Sequence, residues 1–130
     1  MLILRSAFLA PAVADFALAF LTLFRMIGVT DDSLIPRGEF AGVAFCWAVL
    51  LLVGYKKPVE RAWILGPTAR VIGCIGAAFL LGFMVGVVSA LRVAFVLMLC
   101  AALIWLCLAG LQRARNTLSR PDYPPTGSVP

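Results

Sequence analysis

Residues 93–112 read VAFVLMLCAALIWLCLAGLQ, a run of twenty residues without a charged side chain. A helix rises about 1.5 Å per residue and the hydrocarbon core of a bilayer is about 30 Å thick, so this run is long enough to cross it. Of the 130 residues in the chain, 63% are hydrophobic and 13% are charged. Because a soluble domain of this size cannot bury so much apolar surface, the composition excludes a soluble enzyme and indicates an integral membrane protein.

Three further stretches are apolar enough to span a membrane, which makes four predicted spans. Their expected bounds are 7–29, 38–55, 69–90 and 93–112. The last two are separated only by residues near Ser89 to Arg92, so they should be antiparallel neighbours. We therefore predict an all-α, four-helix membrane bundle over residues 1–115, in which spans three and four form a tight hairpin. The Pro-rich tail, 116–130, should be extended or disordered.

The distribution of basic residues predicts the orientation of the spans. Eight lie at the ends and in the loop that share one side, and three lie on the other side. The first group is Arg5, Lys56, Lys57, Arg61, Arg70, Arg113, Arg115 and Arg120, and the second is Arg25, Arg37 and Arg92. This bias predicts that both termini face the cytoplasm of a bacterial inner membrane. The net charge of +5 is then expected to attract anionic lipid, and no nucleic-acid partner is expected.

The connection between spans two and three has the composition of a short interfacial helix. Lys56, Lys57 and Arg61 can contact anionic lipid headgroups, and Trp63 is the type of residue that anchors a chain at headgroup depth. We expect this helix to end at the Gly66-Pro67 dipeptide.

Small residues within the spans predict where helices contact each other, since close backbone approach contributes much of the packing energy in lipid. The candidate contact residues are Gly38, Gly42, Gly73, Gly82 and Gly86. The spacing of Gly82 and Gly86 is typical of a helix contact, either within one chain or between two copies.

The residues available for chemistry are few. The chain has no histidine, which excludes imidazole-ligated haem, most catalytic zinc sites and Ser-His-Asp catalysis. The four cysteines, Cys46, Cys74, Cys100 and Cys107, form no Cys-x-x-Cys pair and are expected to pack as small apolar side chains. No catalytic residue, metal or cofactor is predicted.

Asp15 is the main candidate for a ligand or ion site. If span one begins near Ser6, Asp15 lies near the middle of the membrane, where an acidic residue commonly marks a proton, ion or ligand site. If Pro11 is instead the first helical residue, Asp15 lies in the first turns of the helix, near the headgroups. The sequence leaves both positions open.

Arg25, Glu39 and Arg92 are the other candidates, at the opposite end of the spans from the basic group. Arg25 is expected to point away from Asp15 and to pair with Glu39, which would link spans one and two. Arg92 lies at a similar depth and could attract an anionic ligand. Trp47 and Trp105 lie inside spans two and four, where they either line an apolar cavity or fill the core.

Four short spans, cytoplasmic ends and the sequence Arg37-Gly38-Glu39-Phe40-Ala41-Gly42 at the start of span two resemble the DoxX-like group of small bacterial membrane proteins. That resemblance implies a four-span bundle. Because some members of the group are linked to quinone-dependent sulfur oxidation, it also implies a membrane oxidoreductase component. No catalytic residue of the group is matched in this chain.

Three functions are therefore compatible with the sequence. The first is a non-enzymatic accessory or interaction subunit, whose partner is another membrane protein or a second copy of the chain. The second is a protein that binds or transports a small molecule or ion, with Asp15 in a cavity between helices. The third is the oxidoreductase component that the resemblance implies.

Overall fold

Four long helices make up the fold of the computed structural model, which describes residues 2–27 and 34–119 except for the side chain of Leu34. They are α1 (Leu2–Met26), α2 (Leu34–Lys56), α3 (Leu65–Met84) and α4 (Ala90–Leu118), and a single 3-10 turn, Ala62–Ile64, precedes α3. Each long helix is long and apolar enough to cross a membrane. Over the described residues the chain contains no strand, so the predicted all-helical, multi-pass membrane fold is confirmed at this level.

The helix bounds differ from the predicted spans at several points. α1 begins at Leu2 rather than at residue 7, and α4 continues to Leu118, so residues 116–118 are helical and do not begin the extended tail. The remainder of the tail, residues 120–130, lies outside the described residues. α3 already ends at Met84, because Gly86 adopts a positive φ of 77° that ends a right-handed helix.

α1 passes through Pro11 without ending. A proline has no backbone N–H, so the carbonyl of Ala7, four residues earlier, loses its usual helical donor. The thiol of Cys107 on α4 lies 4.0 Å from that carbonyl oxygen and points its donor at it. Neighbouring helices can satisfy a freed carbonyl in this way, which makes proline tolerable inside a membrane helix. Pro11 is therefore not the first helical residue.

The helices pack in a defined order. α1 contacts both α2 and α4, and α4 also contacts α3, whereas α2 and α3 do not pack closely backbone against backbone. Phe16 of α1 and Phe45 of α2 meet edge to face, with 5.4 Å between ring centroids. The bundle thus has three close seams and one looser side between α2 and α3.

The buried core is concentrated at one end of the bundle. It lies where α1 begins, α2 ends, α3 begins and α4 ends. Its members include Leu4, Ala7, Phe8, Leu51, Val59, Ile64, Leu65, Cys107 and Ala114. Arg5 lies over the ring of Tyr55, 5.8 Å from its centroid, so the start of α1 and the end of α2 lie side by side at this end.

The closest helix approaches occur at Gly54 and Gly110. A Cβ at Gly54 would collide with the ring of Phe8, and one at Gly110 would lie 2.6 Å from the Cβ of Ala7. On α3, it is Gly76 that faces α4, near Leu97 and Cys100.

Most of the glycines expected at helix contacts do not face another long helix. Around Gly42 and Gly73, no atom of another described helix lies within 4 Å of the position that a Cβ would take. Gly82 lies in the last turn of α3 and Gly86 in the turn that follows, where the backbone N–H of Val87 donates to the carbonyl of Gly82 over 2.9 Å. Gly38 lies near the side chain of Met26. Near Gly42 on α2 the buried small residues are alanines, Ala41, Ala44 and Ala48, which present a different face from that of Gly42.

The connection between α2 and α3 also differs from the expected interfacial helix. Only the turn Ala62–Ile64 is helical before α3, and α3 begins at Leu65. It therefore includes Gly66 and Pro67 instead of beginning after them. Proline is readily accepted there, because the first turn of a helix has no internal acceptor for its missing N–H.

Candidate functional site

Asp15 is the fourteenth of the 25 residues of α1, so it lies close to the middle of that helix. Its side chain is half-buried and lines a cavity of about 120 Å³ between α1, α2 and α3. The cavity lies on the looser side of the bundle, where α2 and α3 do not pack closely. Of the two positions that the sequence allowed, the helix bounds favour the one midway along the span.

The other described residues of the cavity lining are apolar or aromatic. Phe40 and Trp47 of α2 contribute two aromatic side chains. The aliphatic lining residues are Leu18, Val43, Ala44, Val71 and Ile75. The Asp15 carboxyl is therefore the charged group of this cavity, in surroundings of low polarity where electrostatic interactions are strong.

Trp47 is held in place by a hydrogen bond across the loose side of the bundle. Its indole Nε1–H donates to the hydroxyl of Thr68 on α3 over 3.2 Å, and that hydroxyl donates to the carbonyl of Ile64 over 2.8 Å. Thr68 is almost completely buried. The indole can therefore line the cavity with its polar atom satisfied. Trp105, by contrast, is 70% exposed and faces away from the core.

A second opening lies at the end of the bundle where α1 ends and α2 begins. It is a groove of about 470 Å³ lined by Thr22, Arg25, Pro36, Arg37 and Phe40. Phe40 lines this groove and the Asp15 cavity, so the two openings are neighbours. We call this opening the arginine groove.

The arginine groove changes the interpretation of Arg25. Ten residues of helix leave only about 80° between Asp15 and Arg25, so both side chains line openings on the α2 side of α1. The same helix face carries Leu18 and Thr22, one in each opening. Arg25 thus does not point away from Asp15, although about 15 Å of helix separates the two residues along the axis.

Glu39 and Arg92 line neither of these openings. Glu39 is exposed and lines a third, open and mostly apolar groove on α2, which shares Val43 and Trp47 with the Asp15 cavity. Arg92 is exposed near the start of α4. The one salt bridge among the described residues joins Lys57 and Glu60, so the structure does not show the expected pair of Arg25 and Glu39.

The residues expected to contact lipid headgroups lie together at the opposite end. Lys56 and Lys57 are exposed, and Trp63 is 65% exposed. The Arg61 guanidinium donates to the carbonyl of Val53 over 2.7 Å, which satisfies an acceptor in the last turn of α2 that has no helical partner. Arg61 therefore caps α2, and its availability to headgroups is reduced.

Sequence reasoning identified Asp15 but missed most of its surroundings. These surroundings depend on how α1, α2 and α3 approach each other. They include the position of Phe40 in both openings, the hydrogen bond of Trp47 to Thr68, and the groove shared by Arg25 and Arg37. A usable signal was present in the spacing of Asp15, Leu18, Thr22 and Arg25, since residues three and four apart share a helix face.

The described chain is thus a four-helix membrane bundle with a carboxyl-bearing cavity midway along it and an arginine-lined groove at one end. Its resemblance to the DoxX-like group stays a prediction. Comparison with protein families, with curated protein sequences and with solved structures finds no match to this chain.

Proposed function

We propose that this small multi-pass membrane protein binds a small organic ammonium ion in the Asp15 cavity. The observation that carries the proposal is the Asp15 carboxyl at mid-helix, in a cavity whose other described lining residues are apolar or aromatic. A charge is costly at such a depth, and ionisable residues there commonly serve a ligand or ion.

The lining favours an organic cation over a metal ion. Hard divalent cations such as Ca²⁺ take about six to eight oxygen ligands. In the part of the chain that the structure describes, no three Asp, Glu, Cys or His side chains lie close enough to share a metal. An alkylated ammonium ion needs only one opposite charge, because its alkyl groups fit apolar walls and its charge is attracted to aromatic rings such as those of Phe40 and Trp47.

The size of the cavity limits the ligand. A volume of about 120 Å³ is below the range of about 300–1,000 Å³ that drug-sized ligands occupy. We therefore expect a compact cation with short alkyl groups, and tetramethylammonium is a suitable probe.

The ligand side of the proposal can be tested by equilibrium dialysis of the full chain in a nonionic detergent. Tetramethylammonium should bind saturably with one site per chain, whereas uncharged tert-butanol, of similar bulk, should not compete at equal concentration. The reason is that the alcohol can fill the apolar walls but leaves the carboxylate without an opposite charge. Equal binding of both compounds, or no saturable binding of the cation, would contradict the proposal.

For the orientation, we propose that the basic end of the bundle faces the cytoplasm of a bacterial inner membrane. In support, Arg5, Lys56, Lys57 and Arg61 lie at the same end, since the start of α1 adjoins the end of α2. Basic residues near span ends favour the cytoplasmic side.

Reporter fusions after Pro130 test the orientation. A fluorescent protein should fluoresce there and alkaline phosphatase should be inactive, because the former folds in the cytoplasm and the latter requires the periplasm. The reverse pattern would place the C-terminus outside. The accessory-subunit and oxidoreductase functions stay predictions from the sequence.

A further inference from the structure

We infer that the arginine groove is a binding site for a phosphate group, of the kind carried by a phospholipid headgroup. This site is separate from the Asp15 cavity and does not depend on the function proposed for it. It is formed by the end of α1 and the start of α2, with Arg25 on one helix and Arg37 on the other.

Two arginines make the groove cationic. An arginine guanidinium is always protonated, carries five N–H donors in a rigid plane and matches the oxygens of a phosphate group. Two such groups lining one groove repel each other unless an anion lies between them. An anion in the groove would contact both guanidinium groups and so relieve this repulsion.

The groove lies at the ends of two helices. Arg25 lies in the last turn of α1 and Arg37 in the first turns of α2. If these two helices cross the hydrocarbon core, their ends lie at the depth of the lipid phosphates. The positive end of the α2 dipole lies here beside the negative end of the α1 dipole, so the attraction for an anion comes from the two arginines.

The remaining lining residues indicate what accompanies the phosphate. The Thr22 hydroxyl already donates to the carbonyl of Leu18 over 2.7 Å, so the arginines supply the donors of the groove. Phe40 and Pro36 form an apolar wall. A phosphate with an attached apolar group fits this combination of two cationic groups and an apolar wall.

The two openings therefore favour ligands of opposite charge: the Asp15 cavity favours a cation and the arginine groove favours an anion. Phe40 lies between them. A phosphate is repelled by the Asp15 carboxylate, and an ammonium ion is repelled by the two arginines. Failure of either assignment leaves the other intact, since the two binding measurements use different probes.

The test is lipid binding by the full chain in nanodiscs of phosphatidylcholine, with spin-labelled phosphatidylglycerol as the probe. The variants are R25Q, R37Q and the double variant. R92Q is the matched control, because it removes the same charge at the same end of the bundle from a residue that does not line the groove. We expect each groove substitution to lower the affinity about fivefold, and R92Q to change it less than about twofold.

A competition arm distinguishes the two sources of phosphate. If inorganic phosphate displaces the labelled lipid from the wild-type chain but not from the R25Q/R37Q variant, the groove binds free phosphate as well as lipid. If inorganic phosphate does not displace the lipid from the wild-type chain, the site requires the apolar group attached to the phosphate. Both results support a phosphate site.

Two results would overturn the inference. One is equal affinity of the wild-type chain and the R25Q/R37Q variant. The other is an equal loss in R92Q, which would indicate a general effect of charge. Far-UV circular dichroism of each variant establishes that the helices are intact. R25K and R37K, which keep the charge but not the planar set of donors, should lose less affinity than R25Q and R37Q.

Discussion

Asp15→Asn should remove most of the affinity for tetramethylammonium. Asparagine has nearly the shape of aspartate, so the cavity keeps its volume and its apolar walls while it loses its charge. The Coulomb attraction between two unit charges about 6 Å apart is about 3 kcal/mol at an effective dielectric constant of about 20, and its loss corresponds to a roughly 100-fold weaker affinity. Equilibrium dialysis in the same detergent measures the change.

The matched control for this variant is Glu39→Gln. It also neutralises a carboxylate on one of the long helices, but Glu39 lines the adjoining open groove of α2 and not the cavity itself. We expect Glu39→Gln to bind the cation with unchanged affinity. If Asp15→Asn binds as tightly as the parent chain, or if both variants lose affinity equally, the Asp15 cavity is not the binding site.

A stability measurement separates a role in binding from a role in folding. Asp15→Asn should be at least as stable as the parent chain, because a neutral amide is less costly than a carboxylate in an apolar setting. A variant that loses binding but retains its unfolding midpoint therefore identifies Asp15 as a ligand-contacting residue.

The second large effect is expected for Gly110→Ala. A methyl group at this position would lie 2.6 Å from the Cβ of Ala7 and 3.1 Å from Cδ1 of Leu65. The Ala7 Cβ is attached directly to the backbone and cannot rotate away, so α1 and α4 must separate. Overpacking of this type costs about 1–3 kcal/mol, which denaturant titration followed by circular dichroism can measure.

Gly42→Ala is the control for that substitution. It makes the same chemical change on another helix, at a position with no atom of another described helix within 4 Å. Because alanine favours a helix over glycine by up to about 1 kcal/mol, we expect it to leave the stability unchanged or to raise it. Equal stability of the two variants would show that the α1–α4 seam is not as close as the structure places it.

The contrast between these two glycines shows how far the sequence predicts packing. Gly42 belongs to a regular series of small residues with Gly38 and Cys46, yet it faces outward, while Ala41, Ala44 and Ala48 are buried. Both faces of α2 carry small residues at helical spacing. The position of α1 determines which of these two faces packs against a neighbouring helix. The position of α1 depends in turn on side chains from several helices at once.

The length and apolar character of the runs determined, from the sequence alone, that the chain folds as four membrane-crossing helices, because a polypeptide in hydrocarbon has to satisfy its backbone hydrogen bonds internally. The sequence also identified Asp15 as the residue of interest, since an acidic side chain in an apolar helix is energetically costly. The tertiary structure alone decided that α1 continues through Pro11, that Phe40 lies between a carboxyl-bearing cavity and an arginine groove, and that α2 and α3 stay apart. These features arise from contacts between segments that are far apart in the sequence. No local pattern of residues specifies such contacts.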